Sequence, residues 1–211
     1  MAHRFTFKLV LLGDMAVGKT SLVLRFINNT FSEKYVTTLG ADFLIKDLEL
    51  LGAPVRLMIW DLGGQVQWEG IRSRYMAGAD GCILVFDVSR KGDFEGYLAQ
   101  WLGEIHDHIG DPPIIIVGNK IDLPPQVDLK KVAKFVQKLN HSYIETSAKT
   151  GTRVEAMFQK IAAEIVKRKA QKVKEVKKEK EEEEMGVKEE KQKETKEEGN
   201  ISGLFKKMRE R

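Results

Sequence analysis

Residues 13–22 read GDMAVGKTSL, and the rest of the chain is best read outward from them. Gly13 and Gly18-Lys19-Thr20 fit the pattern G-x-x-x-x-G-K-[ST]. Small residues let successive backbone N–H groups turn towards an anion, and a helix opening at the second glycine adds its positive end. Met15, Ala16, Val17, Gly18, Lys19, Thr20 and Ser21 are therefore expected to cradle phosphates. Lys19 reaches the β- and γ-phosphates, and the Thr20 hydroxyl is expected to ligate Mg²⁺. Such a loop occurs in ATPases, kinases and GTPases alike, so it does not name the base. Its third residue, Met15, is bulky at a point where the backbone must hug a phosphate.

Strand-like and helix-like stretches alternate on either side of the loop. "FTFKLVLL" reads as a strand feeding it and "GKTSLVLRFINN" as the helix leaving it. "DFLIKDLEL" and "PVRLMIW" suit a hairpin through Gly52-Ala53. "GCILVFDV" and "PIIIVGNK" are continuous apolar runs, the mark of strands covered on both faces. "DFEGYLAQWLGEIHDHI" puts Phe94, Leu98, Trp101, Leu102 and Ile105 on one helical stripe. "DLKKVAKFVQKL" is helical after an Asp128 cap, "SYIETSA" is a short strand, and "RVEAMFQKIAAEIV" is a last helix. The alternation implies an α/β fold with a mostly parallel sheet, helices on both faces and ligands at the carboxyl ends of the strands.

Base identity comes from "NKID", 119–122, directly after an apolar strand. The Asp122 carboxylate only accepts hydrogen bonds, so it can take both the ring N–H and the exocyclic amine of guanine. Adenine offers no such pair, and sites of this kind discriminate by about 10⁴–10⁵. "TSAK", 146–149, adds a backbone contact from Ala148 to the guanine carbonyl. In "WDLGGQ", 60–65, Asp61 is placed to hold a water on Mg²⁺, Gly64 to bring its N–H to the γ-phosphate, and Gln65 to orient an attacking water.

With these four elements in this order, residues 5–166 resemble a Ras-superfamily small GTPase, most of all the Rab family. The resemblance implies a P-loop GTPase domain with a six-stranded sheet, one strand antiparallel. It implies a switch cycling between GTP and GDP with Mg²⁺, hydrolysing GTP slowly when unaided, with a place in membrane traffic or signalling. "YVTTLGADF", 35–43, resembles the Rab first switch. By that match Tyr35 is near the nucleotide, Thr38 is the Mg²⁺ ligand that senses the γ-phosphate, and Phe31 flanks the guanine. Asn119, Lys120, Asp122, Ser147, Ala148 and Lys149 form the base site, and Lys19, Thr38 and Gln65 take part in hydrolysis. Phe43, Trp60 and Tyr75 match the aromatic triad that receives effectors. An exchange factor, an activating protein and effectors are the implied partners, on residues 36–43 and 62–76 of a monomer.

The departures carry information too. Leu62-Gly63 is more like the Arf family, and Val66-Gln67-Trp68 follow the glutamine where many Rab chains have Glu-Arg-Phe. Met15 stands where side chains interfere with an arginine supplied by an activating protein, so weakened assisted hydrolysis is expected. The alternative reading is a slow, GTP-bound scaffold.

Residues 1–166 carry 19 Lys+Arg and 19 Asp+Glu, so the formal net charge of +4 belongs to the remainder. That balance does not suit a nucleic-acid binder. Cys82, the single cysteine, lies in an apolar strand and reads as core in a reducing cytosol. His106 and His108 read as solvated surface, not metal ligands. From Lys167 the chain lacks the apolar residues to offset its own ordering entropy, and 167–199 is expected to be a solvated helix giving way to disorder. Rab chains end in prenylated cysteines; this one ends in "NISGLFKKMRER", with Ile201, Leu204, Phe205 and Met208 on one helical stripe beside basic residues. Residues 200–211 are thus expected to contact anionic membranes weakly and without lipid, the protein being otherwise cytoplasmic.

Overall fold

A computed structural model describes residues 5–32, 38, 40–50, 52–64 and 69–175. Tyr35, Gln65 and the segment 200–211 lie outside the described residues. The elements run β1 (Phe5–Leu12), α1 (Lys19–Asn28), β2 (Ala41–Leu50), β3 (Ala53–Leu62), α2 (Glu69–Met76), β4 (Gly81–Asp87), α3 (Phe94–Ile109), β5 (Ile114–Asn119), α4 (Leu129–Lys138) and β6 (Ser142–Thr146). A fifth helix, α5, covers 154–175. The chain divides into two compact units, Met1–Val166 and Lys167–Arg211. Of the second, residues 167–175 are described; they are helical and exposed.

Six strands form one sheet in the order β2-β3-β1-β4-β5-β6. β2 and β3 pair antiparallel through the turn at Gly52, whose φ of 75° suits glycine. The other pairings are parallel. This is the sheet expected from the sequence. Period-2 alternation divides each inner strand between two cores. Phe7, Leu9 and Leu11 of β1 face Leu22, Val23, Met157 and Phe158 of α1 and α5. Val10 and Leu12 face Met76, Leu98, Trp101 and Val132 of α2, α3 and α4. Every residue of β4 and β5 is buried, which is why those runs are apolar up to the Asp87 and Asn119 that end them. Cys82 is wholly buried in this layer, and burial pushes its thiol pKa up, as expected of a core cysteine.

The starts of α3 and α4 are set by side chains. Asp93 accepts from the backbone N–H of Glu95 and Gly96, and Asp128 from those of Lys130 and Lys131. α2 gave no clear sequence signal, because EGIRSRYM has a poor apolar stripe. It is secured by Arg72, which is buried and donates to Glu104 Oε1 at 2.6 Å and Oε2 at 3.0 Å. The same guanidinium lies 4.4 Å from the ring centroid of Trp101. Among the described residues no helix is long and apolar enough to cross a membrane.

The register of the parallel strands prepares the site. Asp87 pairs with Asn119 and Asn119 with Thr146, so three polar residues stand side by side where β4, β5 and β6 end. Phe158 is fully buried and stacks on Phe26 with centroids 4.0 Å apart. Phe158→Ala is expected to cost about 3–5 kcal/mol of unfolding free energy by the cavity it leaves. Denaturant titration checks this, and an unchanged midpoint would mean that α5 packs otherwise.

Candidate nucleotide site

The loop between β1 and α1 is bent by three positive φ angles: Gly13 at 128° and Gly18 at 100°, which glycine adopts readily, and Ala16 at 62°, which is strained for a residue with a β-carbon. A β-carbon at Gly13 would overlap the Val85 carbonyl, and one at Gly18 would overlap the Asn119 side chain. Both glycines are therefore required by close approach as well as by φ. The loop's carbonyls are drawn away from its inner edge by side chains of distant strands. Arg90 Nη1 donates to Met15 O at 3.0 Å, Lys120 Nζ to Ala16 O at 2.8 Å, and Asn119 Nδ2 to Val17 O at 2.9 Å. Asp87 orders two of these donors, with Lys120 Nζ at 2.7 Å and Arg90 Nε at 3.3 Å from its Oδ2. Burial works against the charge of Asp87, but hydrogen bonds from Lys120 and Ser89 outweigh it and hold the carboxyl below its ordinary range. Three of the loop's carbonyls are thereby engaged by donors, the arrangement in which a loop's N–H groups can turn to an anion.

Lys19 is 5% exposed, and its Nζ donates to Gly13 O at 2.6 Å and Asp14 O at 2.8 Å. Burial lowers its pKa to about 8 against the opposing pull of Asp61 and Asp14. Beside it three side-chain oxygens converge. Thr20 Oγ1 lies 2.8 Å from Thr38 Oγ1 and donates to Asp61 Oδ2, which Thr38 Oγ1 also reaches at 3.4 Å. Asp61 is completely buried, its Oδ1 has no hydrogen-bond partner, and burial raises its pKa although the Thr20 hydrogen bond and Lys19 oppose this. A buried carboxylate oxygen with no donor, next to two hydroxyls, suits a small hard cation that takes oxygen ligands. The residues fit Mg²⁺. Gly63 and Gly64 close this end: the Gly63 N–H donates to Gly40 O at 2.8 Å, and a β-carbon at Gly64 would overlap the backbone of 13–15.

The other end is built on Asn119, 1% exposed, whose Oδ1 accepts from Thr146 Oγ1 at 3.2 Å and from the Ala148 N–H at 3.3 Å. Ser147 Oγ donates to Asp122 Oδ1 at 2.6 Å and so fixes the carboxylate at the mouth of the cavity. The cavity measures about 520 Å³, the size of a small-ligand site.

Most of the residues named from sequence meet there. Met15, Ala16, Gly18, Lys19, Thr20 and Ser21 line one part, Phe31, Thr38 and Gly64 another, and Asn119, Lys120, Asp122, Ala148 and Lys149 the far end. Val17 and Ser147 are buried behind the wall and act through Asn119 and Asp122. Met15 is 47% exposed. Leu24, Thr30, Ser32, Gly63 and Leu123 also line the cavity and were not singled out. Nor were Arg90 or Tyr97, whose hydroxyl donates to Val85 O at 2.6 Å and accepts from the Asp14 N–H at 3.2 Å. Outside the cavity Phe43, Trp60 and Tyr75 do form a contiguous row, with centroid separations of 4.9 and 5.5 Å. His106 and His108 are exposed, and among the described residues no group of three His, Cys, Asp or Glu gathers.

Two comparisons with known proteins bear on this geometry. The model of the Ras family matches residues 8–167. Ras-related protein Rab-1A of Dictyostelium discoideum is 42% identical over 170 residues, covering 79% of this chain and 83% of that protein.

Asn119 is the residue whose loss the site tolerates least. Asn119→Ala strips the Val17 carbonyl and the Ala148 N–H of their partner and is expected to cost about 1–3 kcal/mol of stability through buried groups left unpaired. Ligand-induced stabilisation should fall with it in thermal melts. Full retention of that stabilisation would show that Asn119 does not join the two ends of the cavity.

Proposed function

This chain belongs to the Ras family, and from that premise we propose how its cavity works. Rab-like members of the family are guanine-nucleotide switches: they bind GTP and GDP with Mg²⁺, hydrolyse GTP to GDP, and have regulators and effectors as partners. The observation that carries the reading to this chain's own residues is one cavity with a cationic, N–H-rich loop at one end and the Asp122–Ser147 carboxylate at the other.

In this reading Asp122 takes the ring N–H and amine of guanine, held in place by Ser147, while Phe31 and the Lys120 stem flank the base. Lys19 leaves the carbonyls of Gly13 and Asp14 for the β- and γ-phosphate oxygens, an exchange of partners within reach of one flexible ammonium. Thr20 and Thr38 would hold Mg²⁺ directly, with Asp61 on its water shell. When bound, that ion supplies charge neutralisation on the phosphates. Gln65 orients the attacking water, Gly64 brings its N–H to the γ-phosphate, and Tyr35 belongs to the nucleotide-binding set. Since chemistry of this kind is chiefly positioning, the protein's part is to hold these groups and exclude water. Thr38 tied to Thr20 is the link that reports the terminal phosphate to the segment 36–43, where effectors dock together with 62–76 and the aromatic row.

Residues 1–166 are the nucleotide-binding domain and 167–199 a charged appendage. The apolar stripe of 200–211 and the basic residues beside it support a weak, salt-sensitive contact with anionic membranes.

Two substitutions test the site. Asp122→Asn should move preference from GTP to xanthosine triphosphate, by about 10²-fold or more, because an amide can donate to the xanthine 2-oxo group. Unchanged competition between the two nucleotides would remove Asp122 from the base site. Met15→Gly should speed hydrolysis assisted by an activating protein by at least about tenfold, out of the roughly 10³–10⁵ that a supplied arginine contributes. Equal single-turnover rates with that protein present would mean that Met15 leaves the entry path open.

A further inference from the structure

The base end of the cavity has two walls from distant parts of the chain. One is the loop after β6, residues 147–149; the other is the segment after α1, residues 29–32, of which Thr30, Phe31 and Ser32 line the cavity. One side chain joins them. Arg25, in the last turn of α1, donates from Nε to Ala148 O at 2.9 Å and from Nη2 to Lys149 O at 2.6 Å. Its Nη1 donates to Asn29 O at 3.0 Å and to Asn29 Oδ1 at 3.2 Å. Asn29 is the left-handed cap of α1 (φ 51°), and its own N–H returns to the Arg25 carbonyl at 3.0 Å. The guanidinium carbon lies 6.0 Å from the ring centroid of Phe31.

Two consecutive carbonyls of the loop are thus drawn towards α1, away from the cavity. Ala148 is left 4% exposed, with its N–H 3.3 Å from Asn119 Oδ1. Only a planar fork of donors can hold two carbonyls on one side and a cap residue on the other; an ammonium is a point donor on a flexible stem. Arg25 itself is absent from the cavity lining.

We propose that Arg25 is a positioning residue for the bound nucleotide: by pinning the 147–149 loop to the capped end of α1, it holds both walls of the base end and sets how slowly the nucleotide leaves. This rests on the guanine-nucleotide reading above.

The test uses the full chain loaded with fluorescent GDP in Mg²⁺ and chased with unlabelled GDP. Arg25→Ala should release GDP about tenfold faster or more, the scale of losing hydrogen bonds from a charged donor. Arg25→Lys, which keeps charge, stem and fold, should also release faster than wild type, by roughly half that effect on a logarithmic scale. A second readout separates positioning from bulk stability. On nucleotide binding the Ala148 N–H exchanges Asn119 Oδ1 for the guanine 6-oxo group, so wild type prefers GDP over 6-thio-GDP, and both variants should show a smaller preference. Wild-type release rates in both variants overturn the proposal. So does equal weakening of GDP and 6-thio-GDP, which is what a merely structural arginine would give. A wild type that fails to retain GDP at all would overturn the guanine reading instead, before any variant is compared.

Discussion

The site depends on one buried amide. Asn119 reaches back from the end of β5 to the Val17 carbonyl with its nitrogen and forward to Thr146 and Ala148 with its oxygen. A side chain with both a donor and an acceptor is required, because its neighbours on one side offer a carbonyl and on the other an O–H and an N–H. Asn119 also explains the neighbouring choice of glycine: its amide nitrogen fills the space that a β-carbon at Gly18 would need. Phosphate loop and base loop therefore share one fixed reference, set by the parallel register that puts Asn119 between Asp87 and Thr146.

Around that reference the cavity is made of backbone groups held by side chains from elsewhere. Arg90 and Lys120 tie back two carbonyls of the phosphate loop, Tyr97 braces its first turn, and Arg25 does the same for the base loop. Asp61 is different. Its buried carboxylate is satisfied on one oxygen only, and burial disfavours its charge, a cost that a bound divalent cation would offset. The hydroxyl pair Thr20–Thr38 brings the first switch to the same point.

How much of this could be read from the sequence follows from the range of each interaction. β4 and β5 were legible because a strand buried on both faces is apolar along its length, here up to the polar residues Asp87 and Asn119 that end them. The starts of α3 and α4 were legible because a capping aspartate acts within three residues. That the loop at 13–18, Asp61, Asn119 and Asp122 sit at one edge of the sheet was legible because each lies at or just past the carboxyl end of a strand. α2 was not: it is held by a salt bridge to Glu104, 32 residues away, with little periodicity of its own. Arg25, Arg90 and Tyr97 escaped for the same reason, since they act on backbone carbonyls 12 to 124 residues distant and a carbonyl leaves no trace in the residue type.

The central claim is that this cavity turns GTP into GDP and does so with Mg²⁺. It is tested most directly by loading the purified full chain with GTP, adding Mg²⁺ or a chelator, and separating the bound nucleotides by chromatography over time. The account predicts that GTP is converted to bound GDP with Mg²⁺, that chelation stops the conversion and speeds nucleotide loss, and that ATP offered in the same way is neither retained nor consumed. GTP recovered intact throughout, or ATP held and hydrolysed as readily as GTP, would contradict it.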